Sequence, residues 1–215
     1  MIKNIMTFMM VGIIMTSTTL SAQEGDQAET MFLIKTEYGN IICKLYNDTP
    51  IHKDNFLKLV EEGWYNGSNF HRVISGFMIQ GGHNADGKVD PGYTIPAEFR
   101  SNHFHKRGVI SAARMGDDVN PERNSSGCQF YIVQGRRYAA NEMSDIESRM
   151  DYKFSEEQVE VYTTIGGTPH LDGSYTVYGE VISGMDVIDQ IANVPTTKPG
   201  DKPEQEIKFT VEVIK

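Results

Sequence analysis

The chain has 215 residues, with 20 Lys and Arg against 29 Asp and Glu and a formal net charge of −9. That length fits one compact domain, or one domain carrying an insertion. The acidic balance, with no basic run beyond the pairs Lys106-Arg107 and Arg136-Arg137, argues against nucleic acid and anionic lipid as partners.

Residues 1–22 have the layout of a secretory signal: Lys3 as the basic start, Ile5 to Met15 as the apolar stretch, and Thr18 to Ala22 as a small-residue approach to cleavage. The apolar stretch is shorter than the about 20 residues a bilayer span needs. No Cys lies near the cleavage region, so neither a membrane anchor nor a lipoprotein anchor is expected. The sequence divides into a signal at 1–22, a spacer at 23–30 and a domain at 31–215, exported and most simply periplasmic. Cys43 and Cys128 sit in strand-like runs and read as buried thiols, since one pair does not make a disulfide framework.

In chain order, Met31 to Tyr38 and Asn40 to Tyr46 are β-rich runs about Gly39-Asn40 and read as a hairpin. Thr49-Pro50 then opens a helix, Thr as N-cap and Pro at the first position, with Phe56, Leu59 and Val60 as its apolar stripe and Gly63 as its stop. From Trp64 to Val133 short strands alternate with glycine turns, the pattern of a closed barrel or a sandwich. Met115 to Gly127 reads as a long surface loop. His103 and His105 could face one side of a strand and hold a metal, but no third ligand is spaced nearby, and they read as a surface pair.

Residues 139–167 break the strand rhythm. Met143, Ile146 and Met150 recur at helical spacing, and Ser155 to Gln158 has the form of a capping box for a second helix ending at Gly166-Gly167. This is read as a helical insertion, either an arm over a groove or a surface elaboration. Tyr175 to Val181 follows as a strand, Val187, Ile188 and Ile191 as a short helix, and Ile207 to Ile214 as a closing strand.

The segment FHRVISGFMIQGG, Phe70 to Gly82, places one arginine among apolar neighbours. Strand alternation puts Phe70, Arg72 and Ile74 on one face, and Met78 and Gln80 on one face after the Ser75-Gly76 turn. On spacing alone Arg72 is equally an edge arginine snorkelling over apolar side chains. His71, on the opposite face, reads as a buried, hydrogen-bonded histidine. Ser75, Ser111 and Ser125 lack any hydrolase signature, and Glu98 and Asp172 read as support residues.

That segment resembles the signature of the cyclophilins, a class of peptidyl-prolyl cis–trans isomerases. GVISAAR (Gly108 to Arg114), CQFYIV (Cys128 to Val133) and LDGSYTVYGEVISGMDVIDQI (Leu171 to Ile191) are similar to further blocks of that family, in the same order. The resemblance implies a mainly β fold, a closed eight-stranded antiparallel barrel capped by two helices, with 139–167 inserted. It implies that Arg72 is catalytic, that Gln80 holds it, and that Phe77, Met78, Tyr131 and Leu171 line a proline pocket. Ala113 and Arg114 would sit beside the residue preceding the proline, with Gln129 facing the same groove. Phe130, turned from the face of Tyr131, reads as core.

His170 stands where cytosolic-type members carry a tryptophan, and Tyr175 where a histidine is common. Weak or no binding of cyclosporin is the expectation. Proline-containing unfolded or partly folded polypeptides are the expected partners of a monomeric protein, and the reaction calls for no metal or organic cofactor. The alternative is a binding module or chaperone that keeps the groove without useful catalysis.

Overall fold

The computed structural model describes residues 28–87 and 90–214. The expected signal at 1–22, and most of the spacer, lie outside the described residues. The chain opens with β1 (Thr30–Thr36), β2 (Gly39–Leu45), α1 (Pro50–Glu61), β3 (Ser68–Ile74) and β4 (Met78–Gly81). It continues through β5 (Thr94–Ile95), β6 (Val109–Ala112), β7 (Ser125–Ser126), β8 (Phe130–Val133), α2 (Ala140–Met150) and α3 (Glu156–Thr164). A 3₁₀ turn (Pro169–Leu171) leads to β9 (Val177–Ser183), α4 (Met185–Ala192), β10 (Thr196–Thr197), β11 (Lys202–Pro203) and β12 (Lys208–Val213).

Eight of the strands close an antiparallel barrel in the order β1-β12-β3-β4-β8-β6-β9-β2. The sandwich alternative is thereby removed. Period-two alternation sends Phe32, Ile34, Ile41, Cys43, Ile110, Phe130 and Ile132 into one core, which Phe56 and Leu59 of α1 and Ile188 and Ile191 of α4 complete. Cys43 and Cys128 are both buried and are not joined in a disulfide, and burial pushes the Cys128 thiol up to about 11. Neither is a reactive thiolate.

Two local expectations change in detail. Thr49 precedes α1, but its hydroxyl donates to the Tyr46 carbonyl at 3.4 Å and caps nothing. The free N–H groups of Ile51 and His52 donate instead to the Glu98 carboxylate, at 3.2 and 2.9 Å. A full negative charge at a helix N-terminus is better placed there than a hydroxyl. Glu98 is 5% exposed, so Glu98→Ala leaves these donors and the His52 ring without an acceptor. The expected cost is about 2–3 kcal/mol, read by chemical denaturation; an unchanged midpoint would contradict the assignment.

The helical segment between β8 and β9 follows the sequence closely. Ser155 and Gln158 exchange capping bonds of 3.1 and 2.9 Å. Tyr138, Met143, Ile146, Phe154 and Tyr162 form an apolar cluster with Phe104, which precedes β6. Gly166 and Gly167 bring it back to the barrel, where Gly167 bridges both Lys106 and Arg136.

Candidate active site

Arg72 owes its position to an irregularity that strand alternation does not reveal. Across β3 and β4 the partners are Phe70↔Gly81 and then Arg72↔Gln80, so one residue of β3 is extra. This bulge lets Phe70 enter the barrel core with Val73, while His71 and Arg72 both stay outside it. Phe70 and Arg72 therefore do not share a face, contrary to the simple alternation. A bulge re-aims a side chain at modest cost, and here it turns the guanidinium from the core to the outer wall.

On that wall lies a cavity of about 160 Å³, lined by Arg72, Phe77, Met78, Gln80, Ala113, Arg114, Tyr131, Leu171 and Tyr175. Sites for drug-sized molecules run about 300–1,000 Å³, so this one holds a single small side chain. Met78 and Tyr131 are buried beneath it, with Ile74, Phe77, Ala113, Leu171 and Tyr175 packed about them. The alternation in β8 works as read: Phe130 and Ile132 point into the core, Tyr131 and Val133 outward. Gly82, just after β4, sits at φ +112°, and a Cβ there would collide with the Cys128 carbonyl. Only glycine lets the two strands approach at this point.

The polar groups form a line along the rim. Arg72 Nη1 donates to Gln80 Oε1 at 3.5 Å, Gln80 Nε2 donates to Gln129 Oε1 at 3.1 Å, and Gln129 in turn bonds the His83 ring. The first contact is long, as such bonds commonly are without a bound substrate. Asp201, in the turn between β10 and β11, approaches Arg72 Nε to 4.0 Å from the other side. Nothing in the sequence singled it out. Arg114 is held by Ser174 O at 2.7 Å and Met115 O at 2.9 Å, with its guanidinium 4.6 Å above the Tyr175 ring. It serves as wall rather than as a reaching charge.

Gln129 and His170 do not line this cavity. Gln129 lines, with Gln80, Ala113 and Arg114, a wider groove of about 800 Å³ bounded by Tyr93, Met115 and Asn120. His170 is exposed on the opposite side, its ring centroid 5.5 Å from that of Phe77. The expected site residues thus come together as a small pocket with one flank each way.

Asp172, read from the sequence as a support residue, has partners under the pocket that the sequence did not reveal. Asp172 is 4% exposed; its Oδ1 accepts from His105 N at 2.8 Å and faces His105 Nδ1 at 2.9 Å, and its Oδ2 accepts from Gln158 Nε2 at 3.1 Å and Tyr162 Oη at 2.7 Å. His105 Nε2 lies 3.0 Å from the Tyr131 hydroxyl. One carboxylate therefore ties α3 to the pocket floor. The surface-pair reading fails for His105, which is fully buried, while His103 stacks on Tyr46 at 3.9 Å and bonds Asp48. The partners of His105 stand 67 residues away in Asp172 and 26 in Tyr131, beyond any local pattern.

Two other histidines have arrangements that invite other chemistry. His52 Nδ1 faces Glu98 Oε2 at 2.7 Å and its Nε2 faces Ser125 Oγ at 2.9 Å, the order of a hydrolase triad. All three are sealed, at 2%, 5% and 1% exposure, so no substrate reaches the hydroxyl. His71 is half-buried and stacks on His83 with centroids 3.8 Å apart, and among the described residues its buried Nδ1 has no hydrogen-bond partner. The expectation of a hydrogen-bonded histidine is corrected there.

Burial, then the neighbouring His83 and Arg72, lowers His71 from 6.5 to about 4. A depressed histidine takes up its proton more readily unfolded than folded, so its contribution is present above about 6.5 and lost as pH falls toward about 4. After discounting for screening of the partly exposed ring, on the order of 1–2 kcal/mol should be lost. Denaturation midpoints of wild type and His71→Gln between those pH values check it; parallel pH dependences would contradict it.

Comparisons with known proteins bear on this geometry. The family described as cyclophilin type peptidyl-prolyl cis-trans isomerase/CLD matches residues 31–213. A Staphylococcus aureus protein assigned by name to the peptidyl-prolyl cis-trans isomerases is 34% identical over 190 residues, 86% of this chain and 91% of its own. One from Staphylococcus saprophyticus, assigned likewise, is 34% identical over 192 residues, 86% and 92% of the two chains. Among solved structures, a Cryptosporidium parvum cyclophilin type isomerase superposes with TM-score 0.66 at 24% identity, covering 87% of this chain and 99% of that one. The same protein crystallised in the presence of the dipeptide Ala-Pro gives 0.64 at 24% identity, over 86% and 99%.

Proposed function

The chain belongs to the cyclophilin-type peptidyl-prolyl cis–trans isomerases, and from that premise we propose that its Arg72 cavity seats proline and catalyses rotation about the bond preceding it. The observation that carries this reading is the Arg72 guanidinium at the rim of a cavity sized for one small ring, whose second guanidinium, Arg114, is engaged by Ser174, Met115 and Asp117. A peptide bond resists rotation by about 18–20 kcal/mol because of amide resonance, and X-Pro bonds differ in having cis and trans nearly equal in energy. In the twisted state the prolyl nitrogen loses conjugation and becomes a hydrogen-bond acceptor. A guanidinium held near that nitrogen stabilises the twisted state more than either planar one. Met78, Tyr131 and Leu171 grip the ring while the rest of the chain turns. No nucleophile is consumed and no bond breaks.

The Ala-Pro dipeptide used with the Cryptosporidium parvum protein supports proline-containing peptides as the substrate class. A cis–trans assay on a short X-Pro peptide tests the reading, since a rate equal to the uncatalysed one would overturn it. A binding module is the competing function. The charged Arg72 favours the enzyme, because a pure binder has no use for a cation at the rotating bond.

Folding of exported proteins, a periplasmic location and a monomeric state extend the same reading. The Lys3, Ile5 to Met15, Thr18 to Ala22 layout supports export; a purified protein from its native host that keeps residues 1–22 and stays in the cytoplasm would contradict it. His170, an exposed imidazole beside Phe77, supports weak cyclosporin binding. A nanomolar affinity would sink that inference.

A further inference from the structure

We propose that Asp201 is a positioning residue for the isomerisation, holding the Arg72 guanidinium in the orientation in which it meets the twisted bond. This rests on the reading of the Arg72 cavity as the proline site. Gln80 alone is a loose hold, since it accepts from Arg72 Nη1 at 3.5 Å and the arginine side chain is 43% exposed. Asp201 Oδ2 stands 4.0 Å from Nε, a different edge of the same group. With Nε and Nη1 so occupied, Nη2 is left over, and among the described residues nothing accepts from it.

The main chain delivers the carboxylate to this place. The segment that follows β10 docks beside the β3 bulge, where Phe70 N donates to Ile207 O at 3.0 Å and Val73 N to Asp201 O at 2.8 Å. These two bonds bracket His71 and Arg72. The pairs Thr196↔Pro203 and Thr197↔Lys202 close the turn. Thr197, Lys198, Pro199, Gly200 and Lys202 are all exposed, whereas the Asp201 side chain is 16% exposed. The turn therefore sends one side chain back toward the barrel wall, and it is an acid. Its φ of +55° is left-handed, a conformation that glycine adopts freely and that aspartate and asparagine tolerate. Lys198, 74% exposed, engages the other oxygen, Oδ1, which leaves Oδ2 to Arg72.

An attraction across 4.0 Å to a partly exposed guanidinium is screened, so it adds little to stability. Placement is another matter. A donor that must meet one rotating nitrogen loses much of its effect when misplaced by about 1 Å, and a second contact removes that freedom before the substrate arrives.

Asp201→Asn tests this, because asparagine suits the same turn conformation and keeps the main-chain bond to Val73 while removing the charge. On a short X-Pro peptide kcat should fall about three- to tenfold with KM unchanged. NMR relaxation of the Arg72 Nε–H group reads the positioning without substrate, and its order parameter should drop in Asp201→Asn relative to wild type. An unchanged kcat, a loss carried by KM, or an order parameter that does not move would each overturn the proposal. Failure of the wild type to isomerise the peptide would instead defeat the proline-site reading, while the relaxation measurement still decides whether Asp201 holds the guanidinium.

Discussion

Arg72→Ala is expected to lower kcat/KM on an X-Pro peptide by about 10²–10³-fold, the usual loss when one preorganised donor to a developing charge is removed. The fold should hardly notice. The Arg72 side chain is 43% exposed and makes one long bond to Gln80 and a 4.0 Å approach to Asp201, so stability should stay within about 0.5 kcal/mol of wild type. KM should change little, since the apolar residues provide the grip and the guanidinium acts on the twisted state. Arg72→Lys keeps the charge but presents it on a flexible stem without a planar fork, and should restore only part of the rate. A coupled isomerisation assay with thermal denaturation of each variant checks this; comparable losses of rate and stability would contradict it.

The second large effect concerns a residue outside the cavity. Asp172→Ala removes one buried carboxylate that satisfies the backbone and ring of His105, the amide of Gln158 and the hydroxyl of Tyr162. Breaking a buried charged network from one side typically costs about 3–5 kcal/mol, because the groups left behind stay buried without a partner. For a chain of this size that corresponds to a fall in Tm of roughly 10 °C. Activity should fall too, since His105 no longer steadies the Tyr131 hydroxyl under the pocket. Asp172→Asn keeps one acceptor oxygen and should fall between the two. Full stability in Asp172→Ala would refute the network's role.

These two residues also mark what the sequence could and could not disclose. Arg72, Gln80, Phe77, Met78, Tyr131 and Leu171 stand in contiguous blocks, and strand alternation in β8 sorts Tyr131 from Phe130 without further help. The helices at 140–150 and 156–164 follow from local signals, an apolar stripe and a capping box, which need no distant partner.

Alternation fails in β3 because a bulge depends on register with β4, a property of two strands together. The partners of Glu98, Asp172 and His105 carry no local signal for the same reason, although the first two read as support residues. Glu98 reaches α1 across 46 residues and Asp172 reaches His105 across 67, and only the closed barrel brings each pair together. Asp201 likewise meets Arg72 through the turn between β10 and β11, which pairs too briefly to show as strands in the sequence.

Stabilising the twisted bond and merely holding proline are separable properties of the pocket, and exchange NMR on one X-Pro peptide measures both in a single sample. Wild type is expected to bind the peptide and accelerate cis–trans exchange far above the uncatalysed rate. Arg72→Ala should bind with similar affinity yet leave exchange near background. A wild-type protein that binds the peptide and leaves its exchange rate untouched would contradict the account.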